Sequence, residues 1–196
     1  SLGRYDTFAV ADRVPVAVTA DGGCRLCNPS PHGGMWAFRH TNAANEAIVH
    51  AAGVVLVGEV LPLTTVTNNL TETLALLIGL EFLPDGWSGK ARTDSLNAIR
   101  VFQNHRDPKK LESLRKWLTA DILERVAAVI GRLGRLEYEL LAGHPKRKKG
   151  ALAILEAGGS VSSDRGYPYC IHNHRLDECL PGVWAEYEAE RERLKT

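Results

Sequence analysis

Before its first helical segment the chain carries three strand-type runs, and this order limits the folds open to it more than any single residue does. Val14 to Ala20 reads VPVAVTA, a β-branched run that ends at the turn signal Asp21-Gly22-Gly23. Met35 to His40 and Ala47 to Gly58 are two further strands separated by the polar Thr41 to Glu46, so the opening third predicts an antiparallel meander. Leu61 to Val66 reads as an extension of the last strand. Leu70 to Leu83 is apolar almost all round and long enough for a helix packed between other elements, with Asn69 and Glu72 as its N-terminal capping pair. After the break at Pro84-Asp85-Gly86 come a short strand, Gly89 to Thr93, and a helix starting at Ser95 to Gln103, which Asp107-Pro108 interrupts. Leu111 to Leu118 and Asp121 to Leu133 are helical, and Leu136 to Leu141 alternates Leu136, Tyr138 and Leu140 with Glu137 and Glu139, as a half-exposed strand does. Pro145 to Tyr169 is basic and Gly-rich, with a short helix at Ala151 to Glu156. Asn173 to Leu180 and Val183 to Leu194 are helices separated by Pro181-Gly182. The sequence of elements predicts an α/β fold, a mixed sheet covered by helices.

A length of 196 residues suits one domain, expected over residues 14–196 after a lead-in at 1–13 and carrying an inserted basic loop at about 145–171. The hydrophobic share of 44% and the charged share of 24% exclude disordered and fibrous classes. No apolar run approaches the roughly 18 residues of a membrane span, and Ser1 to Arg13 lacks the apolar stretch of a secretory signal, so a cytoplasmic protein without a membrane partner is expected. The net charge of +1 conceals clustering: Lys146, Arg147, Lys148 and Lys149 stand in a row, and Lys109, Lys110, Arg115 and Lys116 lie close together. Cys24, Cys27, Cys170 and Cys179 are too few and too unevenly spaced for a disulfide scaffold, so reduced thiols are expected.

Four carboxylates stand apart from any charge run. Asp21 and Asp94 each end a strand, Glu72 lies in the first turn of a helix, and Asp177 lies inside the last one. Singly, each has an ordinary explanation: Asp21 opens a turn, Asp94 caps a helix, Glu72 completes a capping box, Asp177 is solvated.

Their surroundings resemble the type 1 ribonuclease H family at four places. Thr19-Ala20-Asp21-Gly22-Gly23-Cys24 through Asn28-Pro29-Ser30-Pro31-His32-Gly33-Gly34-Met35-Trp36 is similar to the family's opening strand and hairpin, Thr67-Asn68-Asn69-Leu70-Thr71-Glu72 to its TNNxxE helix start, Thr93-Asp94-Ser95 to its TDS, and Asn173-His174-Arg175-Leu176-Asp177-Glu178 to its NxxxDE. The resemblance implies a ribonuclease H-like five-stranded sheet, three antiparallel strands then two parallel, flanked by helices. It implies an endoribonuclease cutting the RNA strand of RNA/DNA hybrids, expected as a monomer, with two Mg2+ ions or Mn2+ in their place. Asp21 and Asp94 would be shared central ligands, Glu72 would hold the ion on the leaving-group side, and Asp177 the ion that activates water. Hard oxygen ligands suit these ions, and bound cations reverse the repulsion of crowded carboxylates.

The family's auxiliary histidine falls on His144, after Gly143, or on His172, which immediately precedes Asn173. An imidazole titrating near neutrality suits proton movement. For the substrate, the resemblance assigns strand contacts to the turn from Cys24 to Asn28, with Asn28 or Cys27 at the contact position, and to Asn68 and Asn69, and a DNA phosphate to Thr67; Lys146, Arg147, Lys148 and Lys149 add phosphate contacts beside the histidine. A structure-specific DNA nuclease on the same fold and a non-catalytic nucleic-acid-binding module are the competing classes.

Overall fold

The computed structural model describes residues 2–196; Ser1, the start of the expected lead-in, lies outside the described residues. Six strands form one sheet: β1 (Leu2–Thr7), β2 (Ala17–Cys24), β3 (Gly33–Thr41), β4 (Ala47–Leu56), β5 (Gly89–Thr93) and β6 (Leu136–Leu140), in the order β1-β4-β3-β2-β5-β6. The first four pair antiparallel, and β5 runs parallel to both β2 and β6. The expectation of five strands is corrected by β1, which pairs with β4 where a lead-in was read. Its polar residues suit an edge strand, and Tyr5 stacks on Phe82 with ring centroids 5.7 Å apart.

The helices are α1 (Asn68–Glu81), α2 (Leu96–Asn104), α3 (Pro108–Leu114), α4 (Ala120–Arg132), α5 (Ala151–Glu156) and α6 (Ile171–Leu194). Strand alternation divides the core in two. Val18, Ala20, Trp36 and Phe38 turn toward one face, where they meet Leu70, Leu74 and Leu77 of α1 and Val126 of α4. Met35, Ala37, Ala52 and Val54 turn the other way, under Leu176, Leu180, Val183 and Trp184 of α6.

Three local expectations change. Leu61 to Val66 forms no strand; Val66 makes a single antiparallel bridge with Ser30. Asp21-Gly22-Gly23 is not a turn, because β2 continues through it to Cys24. The two terminal helices are one, running through Pro181. Leu176, Leu180, Val183 and Trp184 make one apolar stripe spanning that proline, so packing on the sheet compensates the backbone hydrogen bond it removes.

The segment after β6 folds back on itself. Ala142 N donates to Pro168 O at 2.8 Å and Tyr169 N to Val161 O at 3.0 Å. It holds a 3-10 turn at Pro145–Arg147 as well as α5. Among the described residues no helix is long and apolar enough to cross a membrane.

Candidate active site

The last parallel pair between β2 and β5 is Thr19 with Arg92, so Asp21, inside β2, and Asp94, just past the end of β5, lie two residues beyond it on neighbouring strands. The carboxyl ends of parallel strands are where open α/β sheets place ligands. Glu72 reaches them from α1 because Gly22 carries no side chain. A Cβ at Gly22 would meet the backbone of Thr71 and stand 2.6 Å from Glu72 N, so the first turn of α1 lies directly against β2. Gly22→Ala therefore forces the helix off the strand, and we expect a loss of about 1–3 kcal/mol by chemical denaturation. A Cβ at Gly23 would meet only side-chain atoms, Leu180 Cδ1 at 3.5 Å and Met35 Cε at 3.9 Å, so Gly23→Ala serves as the tolerated control. Equal stability of the two variants would remove close approach as the reason for Gly22.

Glu72 is not part of the helix cap that the sequence suggested. Thr67 is the N-cap, its hydroxyl accepting from Leu70 N at 3.1 Å, which frees the Glu72 carboxylate to point elsewhere. It accepts a hydrogen bond from the Ser95 side chain. Ser95 in turn caps α2 by accepting from Ala98 N at 3.1 Å, so capping there falls to Ser95 and not to Asp94. Asp94 accepts from Asn173 Nδ2 at 3.3 Å, and Asp21 from Gly22 N at 2.9 Å.

One carboxylate oxygen each from Asp21, Glu72 and Asp94 lies within 4.8 Å of the others. Burial and mutual repulsion both act against their ionisation. Asp21, only 4% exposed, is held well above the usual carboxylate range by burial first and then by Asp94, Asp177 and Glu72. Burial and Asp94 push Glu72 up to about 7 against the Ser95 hydrogen bond, and burial also raises Asp94, against the Asn173 amide. Such a set fits hard divalent cations, whose charge would offset both penalties.

Asp177 stands outside this close trio. It projects from α6 with Oδ2 3.2 Å from His144 Nδ1, and its charge bears on both Asp21 and Asp94. His144 is near enough to favour the ionised form of Asp94. His172 is directed away: Nε2 meets Asn45 O at 2.8 Å, and Nδ1 accepts from Arg39 Nη1 at 3.2 Å.

The polar residues singled out for the substrate gather at the α1 N-terminus. Asn28 Oδ1 accepts from Asn68 N at 3.1 Å, and Asn69 Oδ1 from Asn97 Nδ2 at 3.1 Å. The thiols are free and serve the loop: Cys24 donates to Val66 O at 3.1 Å and Cys27 to Pro29 O at 3.3 Å. Of the basic run, Lys146, Arg147 and Lys149 are exposed, whereas Lys148 reaches Ser162 O and Asp164 within its own loop. Ser95, Asn173 and Asn97 were not singled out as site residues; the first two sit inside the TDS and NxxxDE motifs, which was the available signal.

No protein-family model and no curated protein matches the chain. Among solved structures it is similar to ribonuclease H1 from the halophilic archaeon Halobacterium salinarum NRC-1, at 18% identity and TM-score 0.41, over 64% of this chain and 85% of that one. It is also similar to LC11 ribonuclease H1 in complex with an RNA/DNA hybrid, at 19% identity and TM-score 0.41, over 63% of this chain and 84% of that one. At these values the likeness adds nothing to what the chain's own topology carries. Three antiparallel strands followed by two parallel ones, with α1 and α6 on opposite faces, give the chain a ribonuclease H-like fold, extended at one edge by β1.

Proposed function

We propose that the chain is an endoribonuclease that hydrolyses the RNA strand of RNA/DNA hybrids with divalent cations, Mg2+ or Mn2+, held by Asp21, Glu72, Asp94 and Asp177. The observation that carries this is the trio of carboxylate oxygens from three separate elements within 4.8 Å, kept together although burial and repulsion oppose it. When bound, such cations make a water nucleophilic at neutral pH and stabilise the leaving oxyanion. The chain's own groups fix the ligands: Gly22 N holds Asp21, Ser95 holds Glu72 and Asn173 holds Asp94. His144 carries protons at Nε2, since its Nδ1 is engaged by Asp177.

Recognition of the hybrid rests on the α1 N-terminus. Asn28, Asn68 and Asn69, with Thr67 and Cys24, offer short polar groups and backbone amides beside the carboxylates, suited to the accessible 2′-hydroxyls of a wide minor groove. Lys146, Arg147 and Lys149 meet phosphates. Lys148 belongs to the same run, but its internal partners leave it the smallest share. Replacing Lys146, Arg147 and Lys149 with Gln should weaken hybrid binding and flatten its salt dependence by up to about 0.9 in log–log slope per lost phosphate contact. An unchanged slope would return the run to a solvated loop.

His144→Ala should lower single-turnover cleavage roughly 10- to 100-fold at saturating hybrid, because an imidazole only assists proton transfer. His172→Ala should instead lower the denaturation midpoint, as its ring joins Arg39 to Asn45. A rate defect confined to His172→Ala would reverse these roles.

The test of the function is cleavage of matched hybrid, double-stranded RNA and double-stranded DNA, each with and without Mg2+. Mg2+-dependent cutting of the RNA strand of the hybrid alone is expected. Cutting of DNA would favour a structure-specific DNA nuclease, and binding without cutting a non-catalytic module.

A further inference from the structure

Away from the carboxylates, Arg39 of β3 presents a charge with no counter-charge. Its Nε donates to His50 Nδ1 at 3.0 Å and its Nη1 to His172 Nδ1 at 3.2 Å, and its Cζ lies 5.6 Å from the Phe8 ring centroid. Among the described residues no carboxylate pairs with it and Nη2 has no hydrogen-bond partner. Both imidazoles accept from an arginine, which stays charged in proteins, so both are neutral. Burial and the nearby guanidinium push each of them down to about 4, so neither can become the missing partner.

His50 adds an unmet donor. Because Nδ1 accepts from Arg39, Nε2 bears the hydrogen, yet it is buried without an acceptor in a residue only 4% exposed. Arg39 and His50 line a concavity of about 300 Å3 together with Arg4 of β1 and Arg175 of α6. The carboxylates there are already engaged, Asp6 with Arg4 at 3.6 Å and Glu178 with Arg175 at 3.0 Å. Arg4 pairs further with Glu186 at 2.7 Å and Arg175 with Glu156 at 3.3 Å, so among the described residues Arg39 is the lining guanidinium left without a carboxylate. Cys179, also on the wall, does not supply it, since burial pushes its thiol up to about 11.

An unpaired, half-buried cation is costly, and donors approaching from four different elements suit an acceptor with several oxygens. We propose that this concavity binds a phosphate-class oxyanion, either free phosphate or the terminal phosphate of a nucleotide, on Arg39 and the Nε2 hydrogen of His50. Its occupation joins β3 to β4 at Arg39, which also donates to His172 of α6, the helix that carries Asn173 and Asp177. The inference is independent of the nuclease reading.

The test uses the full chain without divalent cations, at ionic strength held constant with sodium chloride. Inorganic phosphate should raise the thermal midpoint saturably, by about 3–6 °C at ten times its Kd, and Arg39→Gln should abolish that rise. Adenosine 5′-monophosphate acting at lower concentration than phosphate would identify a nucleotide as the source; phosphate acting alone would identify the free ion. Should Arg39→Gln fail to fold, 15N NMR of the wild-type chain decides: the Arg39 Nε and His50 Nε2 resonances should move saturably with phosphate. A midpoint rise that chloride matches or that Arg39→Gln retains, or side-chain resonances that stay fixed throughout the titration, would overturn the proposal.

Discussion

Asp94→Asn is expected to lower hybrid cleavage by at least about 100-fold while leaving hybrid affinity within a few-fold of the parent chain. The amide keeps the size of the side chain but removes one of the three charges gathered within 4.8 Å. Losing one preorganised electrostatic group from a buried site typically costs two to three orders of magnitude in turnover. Binding rests on other groups, the polar α1 N-terminus and the exposed Lys146, Arg147 and Lys149. Single-turnover cleavage and equilibrium binding, measured on the same labelled hybrid, separate the two quantities. Wild-type turnover in this variant would remove the carboxylate site from the account.

Glu72→Gln should stabilise the cation-free protein at pH 8 by about 2–3 kcal/mol although it inactivates it. The Glu72 carboxyl is raised from 4.5 to about 7 in the folded chain, chiefly by burial. A group whose folded pKa is raised contributes its stability below the unfolded value and loses it as pH climbs through the folded one. The advantage of Gln over Glu should therefore be small at pH 4 and grow between about 4.5 and 7. His50 and His172, depressed to about 4, act in the opposite sense over much of this window: their contribution is present above the unfolded histidine value and is lost as pH falls toward 4. For that reason the informative quantity is the difference between variant and parent at each pH, from denaturant titrations in the presence of a chelator. A difference that stays flat with pH would mean that the folded chain does not perturb Glu72.

The quartet of motifs was legible because each carboxylate sits beside a residue with a local job. In Thr93-Asp94-Ser95 the serine both caps α2 and donates to Glu72, and in the last motif Asn173 donates to Asp94, so cap and ligand support travel together. The meander, β5 and β6 followed from alternation and turn residues. What could not be read were features that depend on distant partners. β1 is polar and gains its place only by pairing with β4 and stacking Tyr5 on Phe82. Gly22 looked like a turn residue, whereas its value lies in the backbone of α1 pressed against it. Pro181 looked like a break because local propensity cannot see the apolar stripe that α6 lays on the sheet. Position alone favours His144 over its alternative His172, and their surroundings differ: the Asp177 carboxylate lies 3.2 Å from His144 Nδ1, whereas His172 is hydrogen-bonded to Asn45 and Arg39.

The most direct test of the central claim is calorimetric titration of Mn2+ into the parent chain and into Asp21→Asn at pH 7, in two buffers of different ionisation enthalpy. Asp21 is the most buried of the three clustered carboxylates, and it and Glu72 must both be ionised to hold a cation. The account predicts saturable binding to the parent with proton release, seen as a heat that changes with the buffer, and loss of that binding in Asp21→Asn. Equal Mn2+ binding by both proteins, or none by a parent chain that still cuts the hybrid, would contradict it.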